Sequence, residues 1–155
     1  MCRLAQFHFH TPSEHTVDGV SYPLELHLDA RGRPAVVVGV LAKEGTHPLA
    51  ALEPAFQHLP THTDEHSRLP GVTVNAANLL PAERSFFHYP GSLTTPPCTE
   101  GIQWYVLSTP IQLPQARIDA YRVLAHLNPS NRPLQPRNAR PVTLIRVAGT
   151  GSPAR

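Results

Sequence analysis

The sequence predicts a mainly β fold, and three features carry that expectation. Residues 3–10 and 22–28 alternate in side-chain character with period two, the spacing of a pleated strand. Residues 35–42 are a valine-rich apolar run of strand length, as a buried strand requires. Most of the 18 prolines fall between such segments, where they act as loop punctuation.

The first strand covers 3–10, where Gln6, His8 and His10 alternate with Phe7 and Phe9. A loop carrying Asp18-Gly19, a hairpin signal, leads to the second strand at 22–28. The third strand, 35–42, runs out toward Gly45. Residues 48–58 place Leu49, Leu52 and Phe56 at helical spacing behind Pro48. Residues 72–75, 84–89 and 102–108 read as strands. The best helix is 114–127, with Ile118, Tyr121 and Leu124 on one stripe. A last strand covers 141–147, and 149–155 reads as a frayed tail. No internal repeat is visible.

At 155 residues the chain is one domain by length. Its net charge is +2, with 15% charged residues. Twelve of its 13 basic residues are arginines, scattered along the chain, which argues against nucleic acid as a partner. No apolar run approaches membrane-spanning length, and the opening residues of this sequence do not read as a signal peptide.

The chemistry concentrates in three histidines. His8 and His10 leave the same face of one strand, and Glu25 and His27 share a face of the next. Side by side, the two strands bring three imidazoles together, and three His ligands with an open fourth position is the pattern of a catalytic zinc. A metal-bound imidazole needs an acceptor on its other nitrogen. Gln6 lies two residues before His8 and Glu25 two before His27, so both suit that role. Taken singly, His8 and His10 also suit half-buried strand histidines satisfied by neighbours. A carboxylate at Glu25, among Leu24, Leu26 and Leu28, demands a partner if it is buried. His15, His47, His58, His62, His66, His88 and His126 read as surface or hydrogen-bonding residues. His62-Thr63-Asp64-Glu65-His66 has the composition of a second metal cluster, but its polar, loop-like setting reads as a solvated segment.

The stretch Gln6-Phe7-His8-Phe9-His10-Thr11-Pro12-Ser13-Glu14-His15, followed by Tyr22-Pro23-Leu24-Glu25-Leu26-His27-Leu28, resembles the α-class carbonic anhydrases of bacterial type. Two further blocks agree: the run from Tyr89-Pro90-Gly91-Ser92-Leu93-Thr94-Thr95 to Pro96-Pro97-Cys98-Thr99-Glu100-Gly101-Ile102-Gln103-Trp104, and Asn131-Arg132-Pro133-Leu134-Gln135-Pro136 with Asn138 and Arg140 after it. The blocks run in family order over nearly the whole chain. The resemblance implies a central, largely antiparallel twisted sheet with a few short peripheral helices, here over 1–148 as a partial catalytic domain. It implies zinc on His8, His10 and His27, with Gln6 and Glu25 as the partners behind them. It implies reversible hydration of carbon dioxide to bicarbonate and a proton, by hydroxide that zinc generates near pH 7. Thr94 matches the gatekeeper that bonds Glu14 and orients the hydroxide. Thr95 would line the polar side, and Val37, Leu93, Ile102 and Trp104 the apolar wall that receives carbon dioxide. Thr94, Thr95, Pro96 and Pro97 outside that context read as an ordinary turn.

The chain departs from the family pattern in three places. The metal motif opens at Gln6, so the expectation is a domain without its N-terminal strands and the usual histidine proton shuttle. An unpaired strand edge there would favour aggregation. Cys98 matches a disulfide position whose usual partner is absent. Two unpaired thiols are preferred over a Cys2–Cys98 bridge. Asp29 shares the face of His27, and it either enters the carbon dioxide pocket or starts a turn with Gly32, the turn being preferred. If it lines the pocket, replacing it by valine raises turnover.

Two functions follow as expectations. One is a zinc lyase acting on carbon dioxide, with a small-molecule substrate, no nucleic acid and no membrane as partner, and an open oligomeric state. The alternative is a carbonic-anhydrase-like zinc-binding or interaction module that no longer catalyses. Retention of all three histidines with Glu14, Thr94 and Glu25 favours the first. By resemblance, a full-length form would be periplasmic or secreted.

Overall fold

The computed structural model describes residues 3–32, 34–61, 65–66, 68–124 and 129–148. Strands β1 (Arg3–His10), β4 (Leu24–Arg31), β5 (Val36–Glu44), β6 (Phe86–Ser92), β7 (Glu100–Leu107), β8 (Ile111–Leu113) and β9 (Thr143–Ile145) form one seven-stranded sheet. Its order is β1-β4-β5-β7-β6-β9, with β8 also paired to β5. Pairing is antiparallel except where β5 meets β7 and β8. The mainly β, largely antiparallel expectation therefore holds, and the helices are short and peripheral. No helix among the described residues is long and apolar enough to cross a membrane.

Asp18-Gly19 does make a hairpin, but of its own: β2 (Thr16–Val17) pairs β3 (Val20–Ser21) as a separate two-stranded sheet. Both turn residues have positive φ, 51° and 77°, which a primed two-residue turn requires and Asp-Gly supplies. β4 then runs to Arg31, three residues beyond the predicted end.

Alternation along β4 sorts its side chains onto two faces. Leu24, Leu26 and Leu28 enter the larger core with Val40, Leu107, Leu113 and Ile118. Glu25 and His27 point the other way, toward a smaller cluster of Val37, Leu41, Ile102, Trp104 and Val106. Both faces are covered, so β4 is buried from Leu24 to Leu28. Each leucine with no exposed surface contributes about 2 kcal/mol by burial.

Helices close the larger core. Residues 48–58 form a 3-10 turn, Ala50–Leu52, and a short α1 (Glu53–Gln57). The helix opens at Glu53, with Pro54 rather than Pro48 in its first turn, where a proline loses no helical hydrogen bond. α2 (Gln115–Arg122) buries Ile118 and Tyr121, with Leu124 packed beside them. It stops short of the predicted 127: the helix ends at Arg122 with Val123 as its C-cap, 75% exposed, while the stripe residue Leu124 still packs against the core. Residues 125–128, with His126, lie outside the described residues.

The predicted strand at 72–75 is a correction: the segment is irregular, and no strand pairs with it among the described residues. Asn75 instead caps a 3-10 turn over Ala76–Leu79, its side chain accepting from Ala77 N at 3.0 Å. β8, three residues between Pro110 and Pro114, is too short for its alternation to be read. β6 runs through Pro90, whose missing N–H is tolerated because β9 pairs only with Phe86–His88.

Candidate metal centre

The register of β1 on β4 sets His8 opposite His27 and His10 opposite Glu25. The three histidines therefore meet on one face of the sheet. Their ring centroids are 4.9 Å (His8–His10), 5.2 Å (His8–His27) and 4.5 Å (His10–His27) apart. One nitrogen from each lies within 4.8 Å of the others. His10 and His27 are buried, and His8 is half-buried.

Each ring has an acceptor on the nitrogen that faces away from the cluster. His8 Nδ1 lies 3.1 Å from Gln6 Oε1. His10 Nδ1 lies 3.0 Å from the Ser130 carbonyl. His27 Nε2 lies 3.1 Å from Glu25 Oε1. The Ser130 carbonyl and the Glu25 carboxylate place protons on His10 Nδ1 and His27 Nε2, leaving His10 Nε2 and His27 Nδ1 as free lone pairs, and a proton on His8 Nδ1 toward Gln6 Oε1 leaves His8 Nε2 free as the third. His8 Nε2 and His10 Nε2 are 3.0 Å apart. A tetrahedral zinc with bonds of about 2.0–2.1 Å sets its ligand nitrogens roughly 3.3 Å apart, so the donor set fits that ion. Burial first, then the neighbouring His27 and His10, pushes the His8 pKa down to about 4. Burial also lowers His10, with His27 adding to it. Neutral rings are the form that binds a cation.

Glu25 anchors the back of the site with no exposed surface. Oε2 accepts from the backbone N–H groups of Glu14 and His15, each at 2.9 Å. Oε1 meets His15 Nδ1 at 2.6 Å as well as His27 Nε2. Burial alone would raise this carboxyl; the charge and hydrogen bond of His15, with His27, outweigh it and hold it far below the carboxylate range. His15 in turn reaches the Tyr89 hydroxyl at 2.6 Å. Burial opposes charge on His15, but the facing Glu25 carboxylate raises its pKa. His15 is thus a hydrogen-bonding histidine, one of the two roles its sequence suggests.

Glu14 is buried as well. Its Oε1 accepts from Arg132 N at 2.7 Å. Its Oε2 is buried, has no hydrogen-bond partner and lies 3.9 Å from His27 Nδ1. Glu14 and Thr94 line one cavity of about 490 Å³ together with Ser92, Tyr89 and Arg132. No hydrogen bond joins Thr94 to Glu14. Val37, Ile102 and Trp104 are buried in one apolar cluster with Leu93 packed against them, and the Trp104 ring lies 4.8 Å from that of His27. Thr95 is exposed, and its carbonyl closes a turn onto Cys98 N at 2.9 Å.

Asp29 corrects the preferred expectation: it lies inside β4 opposite Val37, not in a turn, and its carboxylate accepts from Gln6 Nε2. Cys98 is half-buried and a free thiol, and Cys2 lies outside the described residues. His62 and Asp64 lie outside them too. Sequence reasoning missed two contributors. Ser130 acts through its carbonyl, which carries no residue-type signal. Tyr89 becomes visible only once the fold sets it against His15.

A family profile described as eukaryotic-type carbonic anhydrase matches residues 2–146. A carbonic anhydrase of Pectobacterium atrosepticum is 39% identical over 142 residues, covering 88% of this chain and 56% of that protein. One of Nostoc sp. is 40% identical over 144 residues, covering 88% of this chain and 52% of that protein. The chain thus spans about half the length of the curated relatives it matches. The α-carbonic anhydrase of Thermovibrio ammonificans, solved with the inhibitor sulfanilamide, superposes with a TM-score of 0.85 at 38% identity, covering 91% of this chain and 62% of that one.

Proposed function

The chain belongs to the eukaryotic-type carbonic anhydrase family, and from that membership we propose that it holds zinc on His8, His10 and His27 and catalyses the reversible hydration of carbon dioxide to bicarbonate and a proton. Zinc held there would supply the nucleophile at neutral pH by lowering the pKa of water toward 7. The observation that carries the reading is the convergence of three imidazoles whose outer nitrogens are each held by an acceptor.

The remaining residues have roles that follow from their chemistry. Gln6, Ser130 and Glu25 fix the tautomers that leave three lone pairs facing inward. The unpartnered Glu14 Oε2 can only accept. Thr94, in the same cavity wall, carries the hydroxyl suited to donate to it. A hydroxyl has one proton, so Thr94 Oγ1, once bonded to Glu14, can only accept from the attacking oxygen and turns that oxygen's lone pair toward the substrate. Carbon dioxide carries no charge, and Val37, Leu93, Ile102 and Trp104 offer the apolar surface it prefers to water. Thr95 would stand on the polar side.

Cobalt(II) titration of the metal-free chain tests the site. Intense visible bands at one equivalent, lost in His10→Ala, are expected, together with carbon dioxide hydration above the buffer rate in stopped-flow measurements. Weak octahedral absorption would remove the metal site. Intense bands without hydration would leave a metal-binding module that does not catalyse.

A further inference from the structure

Gln6, His8 and His10 share one face of β1, and Glu25, His27 and Asp29 share the adjoining face of β4. The register places Gln6 directly opposite Asp29. His27 and His10 are held directly, by the Glu25 carboxylate and the Ser130 carbonyl. His8 is different. Its acceptor is a side-chain amide, which has a donor end and an acceptor end.

Distance alone does not choose between those ends. Gln6 Oε1 lies 3.1 Å from His8 Nδ1, and Gln6 Nε2 lies 3.0 Å from it. The two orientations have opposite consequences. An amide oxygen against Nδ1 requires a proton on Nδ1 and leaves the Nε2 lone pair free. An amide nitrogen donating to Nδ1 sends the ring proton to Nε2, the atom 3.0 Å from His10 Nε2, and blocks coordination.

Asp29 breaks the symmetry. An ionised carboxylate accepts only, and its Oδ2 takes Gln6 Nε2. One of the two NH2 hydrogens is then committed to the carboxylate across the strand pair, and that bond polarises the amide, making Oε1 the stronger acceptor for the Nδ1 proton and the remaining N–H the weaker donor to the ring. We propose that Asp29 is a positioning residue which, by clamping the Gln6 amide, sets the His8 tautomer that presents Nε2 to the metal. The proposal rests on the metal-centre reading above, but the tautomer it predicts exists in the metal-free chain.

The test uses long-range proton–nitrogen NMR of the histidine rings in the metal-free protein at neutral pH, with zinc affinity measured by competition against a chromophoric chelator. In the wild type, His8 should be the Nδ1–H tautomer. Asp29→Asn, nearly isosteric but able to donate, should mix the two tautomers and weaken zinc roughly tenfold. Asp29→Val should do the same, and Asp29→Glu should restore part of the loss. The double variant Asp29→Val with Gln6→Ala should be no worse than Gln6→Ala alone, since Asp29 acts through Gln6. An unchanged His8 tautomer in Asp29→Asn and Asp29→Val, or losses that add in the double variant, would overturn the proposal. A wild-type chain that shows the Nδ1–H tautomer, loses it in Asp29→Asn and yet takes up no zinc would overturn the metal reading while sustaining the role of Asp29.

Discussion

Gly39 and Glu25 are packed so closely that a methyl group on Gly39 would stand 2.8 Å from Glu25 Oε1. The register explains why. Gly39 on β5 lies opposite His27 on β4, and the Glu25 carboxylate folds over it to reach the His27 ring. Val106 Cγ2 would lie 3.4 Å from the same methyl, so the alanine has little room to retreat. Gly39→Ala should therefore displace Glu25 Oε1 from His27 and weaken zinc binding roughly tenfold. Chelator competition measures it, and wild-type affinity would mean that the carboxylate can shift without losing the ring.

Glu25→Gln should unfold the metal-free chain more easily. The Glu25 carboxylate faces four donors: two backbone N–H groups and the rings of His15 and His27. An amide keeps one acceptor oxygen and turns hydrogens toward the rest. The loss should be about 3 kcal/mol, since buried donors are left unpaired and a buried charge loses its partners. Urea unfolding of the two proteins gives the difference, and a gap well under about 1 kcal/mol would show that the network relaxes around the amide.

Much of the site was legible because strands encode geometry simply. Period two placed Gln6, His8 and His10 on one face, and Glu25 and His27 on another, before any pairing was known. The pairing itself was not legible: no residue announces that His8 sits opposite His27. Nor could sequence fix Asp29, because Asp29, Gly32 and Pro34 are turn formers in composition, whereas pairing on both sides carries β4 past Asp29 to Ala30. The false strand at 72–75 has the opposite cause. Val72 and Val74 suit a strand locally, but Asn75 starts a capped turn beside them and no neighbour offers a ladder.

Zinc should raise the thermal midpoint of the wild type and leave that of His10→Ala where it was. Binding to the folded state alone stabilises by mass action, about 4 kcal/mol at a free concentration a thousand times the Kd. The converging rings also crowd neutral donors at 3.0 Å, a contact that a cation relieves. Differential scanning fluorimetry with and without zinc, and with magnesium as the oxygen-seeking control, reads the effect. An equal shift in His10→Ala would locate the zinc elsewhere.

Tyr121 ties α2 to the metal-bearing strand. Its hydroxyl donates to the Phe9 carbonyl at 2.8 Å, and its ring packs 5.4 Å from that of Phe9. Phe9 lies between His8 and His10, so the bond fixes the strand at the point where the ligands leave it. Tyr121→Phe keeps the ring and removes the donor, and should cost about 1–2 kcal/mol at neutral pH by leaving a carbonyl unpaired. Burial pushes the Tyr121 pKa up to about 12, above the ordinary value near 10. A raised pKa means that the folded state holds the proton more tightly than the unfolded one. The contribution is then fully present below pH about 10 and is lost as pH rises through about 12. The stability gap between wild type and Tyr121→Phe should therefore shrink over that interval, and Tyr22, Tyr89 and Tyr105, common to both proteins, cancel in the difference. Urea unfolding at several alkaline pH values follows it. A gap that stays constant up to pH about 12 would mean that the hydroxyl does not titrate with the fold.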